Sequence, residues 1–315
     1  MAPRQQIDPD RVTYLEVGEE AAGQRIDNFL IGLLKGVPRS RVYSMIRKGE
    51  VRVNRGRISP HYKLQTLDQL RVPPTRVAAV RDAGQVGSGL AAVLAASVLY
   101  EDDMLLVLNK PAGLAVHGGS GVNLGLIEAL RAVRADERLE LVHRLDRETS
   151  GCLIVSKRRQ ALRALHAAMR DGGIGKYYTA LAVGAWPRDA ADVRAPLRKN
   201  VLNSGERMVV VARDGKPCHT RFEVLRRCAG ATLLTAEPVT GRTHQIRVHA
   251  RFIGCPLVGD DKYGDDEANK RFRALGGNRL FLHASRLRFT SPAAAGPVEV
   301  IAPLPEPLQA LLERL

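Results

Sequence analysis

Apolar residues recur at steps of three and four between Gln24 and Leu34. Ile26, Phe29, Leu30, Leu33 and Leu34 make one stripe, which predicts a helix. Pro38 closes that segment. Ser40 stands where an N-cap would open a second short helix, with Val42, Met45 and Ile46 on its inner face and Gly49 just past its end. The period then drops to two. Val51 and Val53 alternate with Arg52 and Asn54, Asn54-Arg55-Gly56 offers a turn, and a further strand runs from Gln69 to Val72. Residues 76–97, rich in Ala, Gly and Val over 76–92 and without a clear period, read as a linker.

From about Val98 the text changes character. Strand-like pieces fall at Leu105–Leu108, Leu153–Val155, Tyr178–Val183, Phe222–Leu225 and Thr232–Ala236. Helical pieces fall at Leu126–Val133, Arg159–Arg170 and His244–Ile253. The pieces do not alternate as regular strand–helix–strand units, so the larger part is expected to be α+β, with helices packed on a mixed, largely antiparallel sheet. The division is an arm over 1–22, a small α/β unit over 23–75, the linker, and a larger domain over 98–315.

Charge sharpens this picture. The 315 residues carry 48 basic and 33 acidic side chains, a net +15. The surplus is uneven. Between 35 and 63 stand Lys35, Arg39, Arg41, Arg47, Lys48, Arg52, Arg55, Arg57 and Lys63, opposed by Glu50 alone. A solvated surface of mixed charge does not look like that. The pattern predicts salt-sensitive binding to a polyanion, foremost nucleic acid. No apolar run is long enough to span a bilayer, and the first ten residues are polar, so a membrane is not expected as partner and the cytoplasm is the expected compartment. Cys152, Cys218, Cys228 and Cys255 form no C-x-x-C pair and read as small buried apolar side chains.

The densest polar cluster, "VHRLDRETSG" over 142–151, follows an apolar pair and precedes a strand, so Arg144 and Asp146 sit on a loop anchored at both ends. On its own this loop is read equally well as a plain turn, with Asp146 capping an amide and pairing with Arg144 or Arg147. Four other segments weigh against that. "NKPAGLAVHGG" sets Lys110 and His117 on a Gly-rich loop without a Walker pattern. "KYYTALAVG" opens a strand with two tyrosines. "ERMVVVARDGKPCHTRFEV" looks like a basic hairpin. "PVTGRTHQIRVHARFIGCPLVGD" sets Arg242, His244, Ile246, Arg247 and His249 on a turn and the helix after it. The two histidines are five apart, the wrong spacing for two ligands on one helical face, and no metal is expected.

"HRLDRETSG", "NKPAGLAVHGG", "KYYTALAVG" and "TGRTHQIRVH" resemble the motifs of the RluA-type pseudouridine synthases, over residues 23–310. "QRIDNFL", "VPRSRVYSMIRKGEVRVN" and "YKLQTLDQLRV" resemble the S4-like RNA-binding domain, with Leu67 where that pattern has Gly. The resemblance implies an isomerase that turns uridine into pseudouridine, without cofactor. It implies Asp146 as catalytic nucleophile or electrostatic and base catalyst, Arg247 (or else Arg242) as its cationic partner, and Tyr178 as the ring that stacks on uracil and handles a proton. It further implies Arg144 as filler of the stack that the base leaves and Ile246 or Leu145 as an apolar floor. Lys110 and His117 are expected to hold RNA or brace the Asp146 loop, Arg242 to bind substrate, and Arg39, Arg41, Arg47, Lys48, Arg52 and Arg55 to meet RNA phosphates. The implied substrate is 23S ribosomal RNA, free or in an assembling large subunit, acted on by a monomer. The alternatives are transfer RNA as substrate and a non-catalytic RNA-binding ribosome-assembly protein.

Overall fold

A computed structural model describes residues 8, 10–34, 36–75, 87–118, 124–135, 137–201, 207–294 and 296–315. The chain divides into two compact units, Met1–Gln85 and Val86–Leu315.

In the first unit the apolar stripe becomes α1 (Ile26–Leu33) and the second becomes α2 (Arg39–Arg47). Around them run β1 (Thr13–Glu16), β2 (Arg52–Val53) and β3 (Gln69–Val72). The strands form an antiparallel sheet in the order β1-β3-β2. Ile26, Leu30, Val42, Met45, Ile46, Leu70 and Val72 pack into one core that excludes water almost completely. Pro38, not Ser40, stands at the N-cap of α2, and no side chain caps that end. Proline has φ suited to this position and the missing N–H is no loss at a helix start. Gly49 ends α2 with φ +72, as its placement predicted. Leu67 holds φ +71, the left-handed conformation that the Gly of the S4 pattern takes without strain.

The second unit runs α3 (Ser88–Ala96), β4 (Val98–Glu101), β5 (Leu105–Lys110), α4 (Leu126–Val133), β6 (Glu140–Leu141), β7 (Ser150–Ser156), α5 (Arg159–Arg170), β8 (Gly175–Val183) and β9 (Asp192–Val193). It continues with β10 (Leu197–Val201), β11 (Arg207–Val211), β12 (Thr220–Cys228), β13 (Ala231–Pro238), α6 (Gln245–Phe252), α7 (Asp266–Ala274), β14 (Leu282–Thr290), β15 (Pro297–Ile301) and α8 (Glu306–Glu313). This is an α+β unit. Among the described residues its main sheet follows the order β4-β5-β7-β14-β8-β13-β12-β9, with β6 beside β7 and β15 beside β14. Every pairing is antiparallel except β7 with β14. β7 is buried along its whole length, which is why it reads as a continuous apolar run with no alternation. At its start Gly151 has φ +107, and a side chain there would be driven into the Ala284 backbone of β14.

Two sequence expectations fail here. Residues 88–96 are helical, not linker: four alanines favour a helix without producing an apolar stripe, and only Leu94 of α3 is fully buried. The rest of the expected linker, 76–86, lies outside the described residues, as do Lys35 and Glu206. The basic stretch 206–224 is not one hairpin. β11 pairs with β10 before it, while β12 pairs with β13 and β9. Among the described residues no helix is long and apolar enough to cross a membrane.

Candidate active site

The loop between β6 and β7 carries Asp146, and it is held from below. The Thr149 N–H donates to the Asp146 carbonyl at 3.1 Å, and the Arg147 carbonyl accepts the Gly113 N–H at 2.9 Å. The same carbonyl accepts from Lys110 Nζ at 3.0 Å, and that ammonium also donates to the carbonyls of Pro111 and Leu114, both at 2.8 Å. Lys110 is fully buried. Burial pulls its pKa down to about 7, and each of its three protons meets a carbonyl. Of the two tasks expected of Lys110, holding RNA or bracing the Asp146 loop, this geometry fits the second, since the side chain is sealed beneath the loop. His117 is exposed and is not among the residues that line the cleft described below.

On the other side, the turn before α6 is stitched by Gln245. Its Oε1 accepts from the Arg242 N–H at 3.0 Å and from Thr240 Oγ1 at 2.8 Å, and its Nε2 donates to the His219 carbonyl at 2.8 Å. His244 enters the helix in the left-handed region, φ +54. One turn on, Arg247 meets Asp260 through two parallel bonds, Nε to Oδ2 and Nη2 to Oδ1, each 2.7 Å. Its remaining nitrogen, Nη1, lies 3.5 Å from Asp146 Oδ2. Burial disfavours the charge on Asp260, but the Arg247 bonds and the Lys262 and Tyr263 amides outweigh it and hold the carboxyl below its usual range. Burial likewise opposes the Arg247 charge, and Asp260 first and then Asp146 overcome it. A bidentate clamp of this kind fixes the guanidinium plane as well as its charge.

Between these two walls opens a cleft of about 330 Å³. Arg144, Asp146, Tyr178, Arg242, Ile246 and Arg247 all line it, so the structure brings together most of the residues that the sequence nominates. Leu145, Met169 and Leu282 add apolar surface, and Lys176 and His244 add polar groups. Tyr178 comes from β8, paired with β13 on one side and β14 on the other. Burial pushes its hydroxyl well above the ordinary tyrosine value, and the Asp146 charge pushes it further. The phenol is therefore neutral at rest. His143 is neutral too, its pKa lowered to about 4 by burial, and its Nε2 accepts the Ile154 N–H at 3.1 Å. His249 turns away from the cleft, bonded to Thr220 Oγ1 at 2.8 Å and the Ala195 carbonyl at 2.9 Å. In the first unit Arg39, Arg41, Arg47, Lys48, Arg52 and Arg55 are all exposed, with Arg41 paired to Glu50 at 3.0 Å.

Sequence reasoning missed Asp260, Tyr263, Lys176 and the place of His244. Asp260 and Tyr263 lie in "GDDKYG", where two acids stand among basic segments; that contrast was the available signal.

A carboxylate beside a clamped arginine, in a cleft that is also lined by apolar side chains, suits an enzyme that acts on a base turned out of its strand. Comparison with known proteins gives the class directly. Residues 104–252 match the RNA pseudouridylate synthase family, and residues 24–70 match the S4 domain. The chain belongs to the pseudouridine synthases, in the RluA-type branch, and is an isomerase of that family. It is 53% identical over 309 residues to ribosomal large subunit pseudouridine synthase C of Escherichia coli K12, covering 96% of this chain and 97% of that one. It is 52% identical over 307 residues to the protein of the same name from Haemophilus influenzae, covering 96% and 95%. Among solved structures it resembles human RNA pseudouridylate synthase domain containing 4, at a TM-score of 0.58 and 29% identity over 72% of this chain and 95% of that one.

Proposed function

We propose that this chain converts uridine to pseudouridine in large-subunit (23S) ribosomal RNA, in the cytoplasm and as a monomer, with Asp146 as its catalytic carboxylate. The observation that carries the site reading is the convergence of Asp146, Arg247 and Tyr178 on one apolar-floored cleft. The substrate class follows the relatives, whose names specify the ribosomal large subunit.

The reaction breaks the C1′–N1 bond, turns the uracil and forms C1′–C5, while one proton leaves C5 and N1 gains one. Nothing is oxidised or reduced. Asp146 supplies the negative charge beside the ribose as the base departs, or bonds to it. Arg247 keeps that charge in place, because Asp260 holds its Nε and Nη2 and leaves Nη1 facing Asp146. Tyr178 enters the reaction protonated, so its first service is as a hydrogen-bond donor and a surface for the ring; it can take the C5 proton only while passing on its own. Arg144, exposed at the mouth, is suited to stack in the gap that the extruded base leaves. Ile246 and Leu145 form the floor.

The test is pseudouridine mapping of ribosomal RNA from cells lacking the gene, rescued with the native gene or with Asp146→Asn. Sites that vanish and return only with the native gene support the reading. Sites restored by Asp146→Asn would remove Asp146 from the mechanism, and an unchanged ribosomal map would redirect the search to transfer RNA.

A further inference from the structure

His244 is a polar side chain of the cleft that the scheme above leaves without a task. It is held firmly from one side. Its Nδ1 lies 2.7 Å from the Tyr263 hydroxyl, whose oxygen accepts the Val209 N–H at 3.0 Å. The two rings meet edge to face with centroids 5.4 Å apart, and the Arg247 guanidinium lies 5.0 Å from the centre of the Tyr263 ring. The other imidazole nitrogen, Nε2, is 3.8 Å from Asp146 Oδ2.

We infer that His244 is a positioning residue for Asp146: a neutral imidazole protonated on Nε2, with Tyr263 donating to Nδ1 and the Nε2–H directed at Oδ2. This rests on the reading of Asp146 as the catalytic group. The tautomer follows from counting protons. The Tyr263 oxygen already accepts from Val209, so its own proton points most favourably at a bare Nδ1. The opposite tautomer would turn that proton away from the ring and set the Nε2 lone pair against a carboxylate. Burial lowers the pKa of His244, Arg247 and Lys262 lower it further, and Asp146 and Asp260 oppose them, so the ring is neutral at pH 7.

The geometry gives this N–H a purpose. Arg247 Nη1 and His244 Nε2 approach the same oxygen, Oδ2, at 3.5 and 3.8 Å. Arg247 alone cannot set the rotation of the carboxylate, because one contact leaves it free to turn. Two donors on Oδ2 fix that rotation and reserve Oδ1 for the substrate. In the free enzyme the contact is electrostatic. It closes to hydrogen-bond length once a base fills the cleft, as catalytic contacts commonly do. The left-handed backbone at 244, uncommon for a residue with a side chain, is what aims the ring across the mouth of the helix.

Nitrogen-15 NMR of histidine-labelled enzyme reads the tautomer directly, with the His244 signals assigned by their loss in His244→Asn. The expected result is Nε2–H. Kinetics read the purpose. Asn tolerates the left-handed backbone but is too short to reach Asp146, and kcat should fall about tenfold to a hundredfold with KM within a few-fold. His244→Gln carries an N–H near the same place and should recover most of that loss. An Nδ1–H tautomer, or native kcat in His244→Asn, overturns the inference. Should His244→Asn not fold, Tyr263→Phe serves instead: it removes the donor to Nδ1, so the proton should spread over both nitrogens and kcat should fall, and an unchanged spectrum overturns the inference. Activity surviving in Asp146→Asn would sink the underlying assignment instead, so the two failures are told apart.

Discussion

The two units handle charge in opposite ways. In the first, Arg39, Arg41, Arg47, Lys48, Arg52 and Arg55 stand exposed around an apolar core, and their effect is a sum. In the second, the charges that matter are buried and individually matched: Arg247 to Asp260, Lys110 to three carbonyls. A sum of exposed charges gives affinity that tolerates the loss of any member. A matched buried charge gives position, and fails when its partner is removed. Binding RNA and transforming one of its bases are thus assigned to two different kinds of electrostatics.

The sharpest way to break this contrast is at the carboxylate. Asp146→Asn should abolish measurable turnover while RNA affinity stays within about tenfold, since the lost group is chemical; single-turnover kinetics beside a binding titration would show it, and residual turnover near the native rate would refute it. Next comes the clamp. Asp260→Asn leaves the Arg247 charge buried against a neutral partner and should lower stability by about 3 kcal/mol and turnover severely. The double change Arg247→Met with Asp260→Leu should recover stability without activity, and a denaturation midpoint unmoved by Asp260→Asn would mean the clamp contributes no stability.

The third effect is a pH dependence. His143 and His283 are both held neutral by burial, with pKa values near 4. Their folded values lie below the unfolded ones, so between pH 6.5 and 4 the unfolded chain binds more protons than the folded one. Stability should be flat with respect to these groups above pH 6.5 and fall by roughly 2–3 kcal/mol for each as pH drops toward 4. Thermal melts across that range check it, and a flat profile would contradict it. The smallest effect belongs to the exposed arginines. Replacing Arg39, Arg41 and Arg47 together by Ala should weaken RNA binding and reduce the slope of log K against log salt by about 2, with kcat at saturating RNA unchanged. An altered kcat would show that these residues do more than add charge.

The same contrast explains what was legible in the sequence. Elements with a stripe or a continuous apolar run, such as α1, α4, α5 and β7, read cleanly because burial imposes a period. α3 did not, since alanines make a helix without making a face. Asp146, Tyr178 and Arg247, which the motifs nominate, line one cleft. Asp260 was not nominated, because its meaning lies in a pairing across 13 residues of chain that no local pattern encodes. For Lys110 the sequence left two tasks open, holding RNA or bracing the Asp146 loop, and only the folded backbone shows the three carbonyls that favour the second.

The central place of β14 has a consequence for how the enzyme comes into being. The strand is made late, from residues 282–290, yet it lies between β7 and β8, the strand that follows the Asp146 loop and the strand that carries Tyr178. A chain emerging from the ribosome therefore holds both residues long before it holds the spacer that sets them apart. β7 and β8 cannot reach their final separation until Leu282–Thr290 slides between them, with Gly151 giving the clearance. The cleft as it stands therefore needs Leu282–Thr290 in place, although that strand supplies neither Asp146 nor Tyr178.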